Sequence, residues 1–112
     1  LLERAQGSDM QAVVHVDQGD MIPEALELAK MGVLPEGMYR NRTFAQSSVD
    51  MGDTPLYKQD VLFDPQTAGG LLIAVDRDDA DALLRDLTGN VPSAQRIGEI
   101  QPYEGGARIL LR

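Results

Sequence analysis

The residues of this chain whose types and spacing could do chemistry lie in one run, Asp64-Pro65-Gln66-Thr67-Ala68-Gly69-Gly70, set between Val61-Leu62-Phe63 and Leu71-Leu72-Ile73-Ala74-Val75. Asp64 precedes a proline and is steered away from helical geometry, while Pro65 has a fixed φ and no N–H, so these two residues set how the loop begins. Thr67, Ala68, Gly69 and Gly70 then expose backbone N–H groups with little side chain in the way. Such a loop could receive phosphate or carboxylate oxygens; a tight turn with a β-bulge leading into a core strand fits the Gly-Gly pair equally. A second candidate is Arg40-Asn41-Arg42, the densest positive charge in an acidic chain. Guanidinium groups match phosphate oxygens in bidentate geometry, and they pair as readily with surplus carboxylates.

The remaining polar residues offer less. His15 is the single histidine and sits between Val14 and Val16, where an alternating strand turns it to the opposite face from both. With no second His and no Cys it makes a poor metal centre, and without cysteine there is neither a disulfide framework nor a thiolate ligand. The run Asp76-Arg77-Asp78-Asp79-Ala80-Asp81 could suggest a cation site, but it reads better as carboxylates at the positive end of a helix. No metal ligand set is assigned. A formal net charge of -8 argues against a general nucleic-acid or anionic-membrane surface. No run approaches the ~18 apolar residues that cross a membrane, and the chain reads as soluble.

The 112 residues, 43% hydrophobic with 4% aromatic and no Trp, can supply one aliphatic core, so a single domain over 1–112 is expected. Leu1–Ala5 has helical composition with Gly7-Ser8 as its stop, as though a longer helix ended there. Gln11–Val16 reads as a strand. Pro23–Met31 is a complete helix: Pro in the first turn, Glu24 and Glu27 towards the positive end, Lys30 near the negative end and Gly32 at C′. Val33–Arg42 reads as a loop, Thr43–Val49 as a short helix, Asp50–Pro55 as a polar turn and Leu56–Val61 as one helical turn. The apolar run Leu71–Val75 predicts a buried strand. Asp78–Leu87 predicts an amphipathic helix with Ala80, Leu83, Leu84 and Leu87 on one stripe. Ala94–Ile100 and Ala107–Leu111 read as strands joined by a connection of hairpin type across 102–106. The fold class is α/β of the α+β type, a mixed β-sheet with helices packed on it.

Two segments carry a family resemblance. Asp64-Pro65-Gln66-Thr67-Ala68-Gly69-Gly70-Leu71-Leu72 resembles the Asp-Pro-Gln-Thr-Ser-Gly-Gly-Leu-Leu segment of selenide, water dikinases (selenophosphate synthetases), with Ala68 in place of Ser. Gly32-Val33-Leu34-Pro35-Glu36-Gly37-Met38-Tyr39-Arg40-Asn41 is similar to that family's Gly-x-x-Pro-Gly-Gly-Thr-x-x-Asn, with Glu36 and Met38 as departures. The resemblance implies the C-terminal domain shared with aminoimidazole ribonucleotide synthetase, cut from a two-domain enzyme whose N-terminal ATP-binding domain lies upstream. It implies an enzyme that makes selenophosphate, AMP and phosphate from ATP, selenide and water with Mg2+, in the cytoplasm, with a homodimer of the full-length protein as one possibility. The family's catalytic Cys or selenocysteine, Lys and metal-binding Asp residues belong to the upstream part. This chain is therefore expected to wall the active-site cleft and to be inert alone, with Thr67, Ala68, Gly69, Gly70, Arg40 and Asn41 facing phosphate or product and Asp64 and Pro65 positioning the loop. Other enzymes of the superfamily, or a non-catalytic binding or assembly module with a structural Gly loop, are the competing readings.

Overall fold

The computed structural model describes residues 1–66 and 69–112. Helix α1 (Leu2–Gly7) buries Leu2 and Ala5 and turns through Asp9, at φ 52, into strand β1 (Met10–Val14). Helices α2 (Pro23–Lys30), α3 (Glu36–Ala45) and α4 (Leu56–Leu62) follow, with the two-residue strand β2 (Val49–Asp50) between the last two. Helix α5 (Arg77–Thr88), β3 (Gly98–Pro102) and β4 (Ile109–Leu111) complete the order. The expected mixed sheet with helices is what forms: the strand order is β2-β4-β1-β3, with β4 parallel to both β1 and β2 and β3 antiparallel to β1.

The core lies where β1 and β4 meet α1. Leu2, Ala12, Val16, Ile109 and Leu111 form one buried cluster, with Val14, Met21 and Val49 packed at its margin. Ala12 is 1% exposed, small enough to let neighbours close over the central strand. The buried amide of Gln11 is satisfied on both sides: its Nε2 donates to the Ala107 carbonyl at 2.6 Å, and its Oε1 accepts from Gln101 at 2.6 Å.

Helix α2 follows its sequence signals closely. Pro23 sits in the first turn, and Gly32 adopts φ +76, so that the Val33 N–H reaches the Leu28 carbonyl at 2.9 Å and the Gly32 N–H that of Ala29 at 3.0 Å. Helix α5 is capped by the Asp76 side chain, which accepts from the Asp78 N–H at 3.0 Å. Helix α4 covers the expected turn at Leu56–Val61.

Three expectations are corrected. Val33–Arg42 is not a loop, because α3 begins at Glu36, straight after Pro35, which stands at the N-cap with φ -70 and ψ 145. Met38 is 0% exposed, and anchoring it outweighs the poor helix propensity of Gly37. Leu71–Val75 forms no hydrogen-bonded strand among the described residues; Leu71 is 91% exposed and Ile73 52%. Composition marked a segment able to be buried, but a strand exists only where a partner edge meets it. Finally, β3 and β4 are not a hairpin, since β1 lies between them. The connection arches over the end of β1, held by Arg108, whose guanidinium stacks 3.4 Å from the Tyr103 ring centroid and pairs with Asp9 at 3.0 Å.

Candidate functional site

The two segments singled out in the sequence, about 25 residues apart, meet in space. Helix α3 lies beside α4 and the chain that leaves it, and three contacts from α3 hold that junction. Gly37 is the first: a Cβ placed there would stand 2.8 Å from Pro65 Cγ, so helix and proline approach as closely as only glycine permits. One turn later Asn41 Nδ2 donates to the Phe63 carbonyl at 2.9 Å, satisfying an acceptor that the end of α4 leaves without an intrahelical partner. Arg42 is the third, its Nη2 lying 2.8 Å from Asp60 Oδ1 and 3.3 Å from Gln59 Oε1, with the guanidinium 5.5 Å from the Phe63 ring centroid. Asp60 is 5% exposed and Arg42 faces it across a largely dry contact. Gln59 is fixed in turn by donation from Nε2 to the Thr54 carbonyl at 2.7 Å.

Asp64 and Pro65 thus start their loop from a rigid base, and the Asp64 N–H closes the turn on the Val61 carbonyl at 3.2 Å. Beyond it, Gln66 folds towards Gly69, where an added Cβ would come within 3.0 Å of Gln66 Oε1. Gly70 has open space around it. Pro65, Gln66, Gly69 and Gly70 are exposed. Thr67 and Ala68, named from the sequence as ligand-facing, lie outside the described residues.

The two arginines part company. Arg42 turns inward to Asp60, as the ion-pair alternative anticipated, whereas Arg40 points to the other side of α3, into a shallow depression lined by Glu36, Tyr39, Thr43 and Phe44. Asn41 has its amide nitrogen on Phe63, which makes it a fastening of the loop base. Sequence reasoning missed Gly37, Asp60 and Gln59 as parts of this arrangement. The Gly-x-x-x-Asn spacing was the available signal: on a helix, positions 37 and 41 lie one above the other on the same side. It was hidden by reading the segment as a loop. Among the described residues no group of three or more His, Cys, Asp or Glu is placed to hold a metal ion.

Comparison with curated proteins gives a consistent answer. Selenide, water dikinase 2 of Peptoclostridium acidaminophilum is 43% identical over 111 residues, 97% of this chain and 32% of that protein. Selenide, water dikinase of Treponema denticola is 42% identical over 88 residues, 79% of this chain and 25% of its own length. That of Pelobacter propionicus is 46% identical over 86 residues, 73% of this chain and 25% of the relative. The chain spans about a quarter to a third of the length of the curated relatives it matches. No family model matches it.

Proposed function

The chain is a homologue of the selenide, water dikinases, and we propose that it is the C-terminal domain of such an enzyme, one that forms selenophosphate, AMP and phosphate from ATP, selenide and water. In this reading an N-terminal ATP-binding domain precedes it, carries the catalytic nucleophile and the magnesium ligands, and packs beside it. The observation that carries the reading is the convergence of the two resembling segments on one loop base, through Gly37 against Pro65 and Asn41 on the Phe63 carbonyl.

Phosphoryl transfer asks a protein mainly to place oxygens, neutralise charge and keep stray water out. The part assigned to this chain is placement. An anchored Asp64-Pro65 base would hold the backbone N–H groups from Thr67 to Gly70 where phosphate or product oxygens arrive, with Arg40, which has no ion-pair partner among the described residues, as a candidate cation on α3 and Asn41 acting through the loop. Magnesium, when bound in the whole enzyme, supplies charge neutralisation on the phosphates; no acidic cluster described in this chain fits it, and no step is assigned to it here.

The test is phosphorus NMR on the parent protein supplied with ATP, magnesium and selenide under reducing, oxygen-free conditions. Selenophosphate and AMP should appear only when selenide is present, and this chain alone should leave ATP intact. ATP untouched by the parent, or ADP formed regardless of selenide, overturns the proposal. Gly70→Val separates a ligand-receiving loop from a structural one, because its Cβ meets nothing within 4 Å. The variant should fold and lose turnover; unaltered turnover per folded molecule would assign the loop a binding or assembly role instead.

A further inference from the structure

The buried ion pair between α3 and α4 is poorly made for stabilising the fold. Asp60 is 5% exposed, and Arg42 brings Nη2 to 2.8 Å from its Oδ1. The approach is close but off-axis: among the described residues Oδ1 accepts no hydrogen bond, and the buried Arg42 Nε has no acceptor. Nη2 directs its hydrogen bond to Gln59 Oε1 instead, at 3.3 Å. Two charges taken out of water need excellent geometry to recover their desolvation, and apolar residues of similar volume commonly replace a buried pair without loss of stability. A carboxylate and a guanidinium at this place call for a geometric reason.

Their position supplies one. Helix α4 has only seven residues, and its two turns are held by different partners. The first turn is fastened by Lys58 to Asp17 and by Lys30 of α2, whose Nζ lies 5.0 Å from the Tyr57 ring centroid. The last turn carries Asp60, whose carbonyl accepts from the Phe63 N–H at 3.2 Å, while the Val61 carbonyl accepts from that of Asp64 at 3.2 Å. Asp60 therefore belongs to the turn from which the Asp64-Pro65 loop departs. Its counter-charge is itself fixed: the Arg42 guanidinium lies between Gln59, which is tied to the Thr54 carbonyl, and the Phe63 ring. Holding the Asp60 carboxylate against that guanidinium sets the rotation of the last turn, and with it the direction in which the chain leaves. An apolar pair would fill the same space without fixing a direction, because burial is proportional to area and carries no orientation.

We propose that Asp60 and Arg42 are positioning residues for the reaction, which aim the loop after Pro65 at the transferred phosphoryl group and touch no ligand themselves. The pair is kept for direction and not for stability, so the two can be separated by experiment. This rests on the reaction proposed for the parent enzyme and goes beyond it in giving a share of the turnover to a side-chain pair remote from the phosphates. A displacement of about 1 Å at a reacting group costs on the order of a hundredfold in rate, so a small error in the loop's direction has a large effect.

The test is made in the parent protein with two variants. Arg42→Met combined with Asp60→Val removes both charges and keeps an apolar filling; its urea midpoint should match that of the unmodified protein, while kcat for selenide-dependent AMP formation falls at least roughly tenfold and KM for ATP is unchanged. Arg42→Lys keeps a cation opposite Asp60 and loses the planar fork, so it should fold and lower kcat by a smaller factor. Unchanged kcat in the folded double variant overturns the proposal; should the double variant fail to fold, unchanged kcat in Arg42→Lys does so. A parent that makes no selenophosphate refutes the assigned reaction, and the direction of the loop is then read without turnover. Residual dipolar couplings of the Gln66, Gly69 and Gly70 amides in the 112-residue chain should change in Arg42→Lys while those of β1 and β4 stay the same. Couplings that stay the same throughout overturn the positioning role.

Discussion

At the scale of single residues, the base of the loop depends on side chains that never reach a ligand. Arg42→Ala would leave the carboxylate of Asp60, 5% exposed, buried without its cation, which costs about 3 kcal/mol when one partner of a buried pair is removed. Urea unfolding should show that loss, and Asp60→Asn introduced alongside Arg42→Ala should recover part of it. Gly37→Ala tests the close approach to Pro65. Helix propensity alone would favour alanine by about 1 kcal/mol, whereas overpacking against the proline ring costs about 1–3 kcal/mol, so a net loss of stability is expected. An increase in melting temperature would show that the proline yields. Asn41→Ala removes one hydrogen bond at an exposed site and should cost about 1 kcal/mol. Substituting Arg40, which has no ion-pair partner among the described residues, should leave stability unchanged.

At the scale of elements, short strands are held by their ends. Strand β2 is two residues long and is fastened to the end of β4 by Asp50, which accepts from Arg112 at 2.7 Å and from the Gly52 N–H at 3.0 Å. The hydrogen bond from Arg112, then that from Gly52, holds the Asp50 carboxyl below the usual carboxylate range. A depressed folded-state value means that the contribution is complete above the ordinary carboxylate pKa and is lost as pH falls through the lowered one. Amide protection at Arg108 and Arg112, beside this fastening, should therefore fall in acid below about pH 4, and Asp50→Asn should remove that component of the pH dependence. In α5 the Asp76 cap is worth about 1 kcal/mol of helix stability, read as lost helicity in Asp76→Ala.

At the scale of the whole molecule, β1 is the strand on which everything else is registered. It takes β3 on one side and β4 on the other and receives α1 on a face, so a fault in it should be felt throughout. Ala12→Leu would force about three extra carbons into a position 1% exposed and should destabilise the fold by about 1–3 kcal/mol. Circular dichroism and tyrosine fluorescence should shift to the same lower midpoint, because a small domain with one core unfolds as a unit. The chain carries no helix among those described that is long and apolar enough to cross a membrane.

What the sequence by itself determined is what its local chemistry dictates: α2 and α5 with their caps, the helical turn at Leu56–Val61, a mixed sheet, and a relationship written in Asp64–Leu72 and Gly32–Asn41. Those features depend on residues within a few positions of one another, so proline, glycine, carboxylate and spacing were enough to read them. The tertiary structure decided the rest. It made a helix of Glu36–Ala45 because Met38 had a core to enter, turned Arg42 to Asp60 and Arg40 away from it, placed β1 between β3 and β4, and left Leu71–Val75 without a strand partner. Each of those outcomes depends on which distant segment supplies the neighbour, and an apolar or charged run records its capacity for a contact without recording the contact it makes.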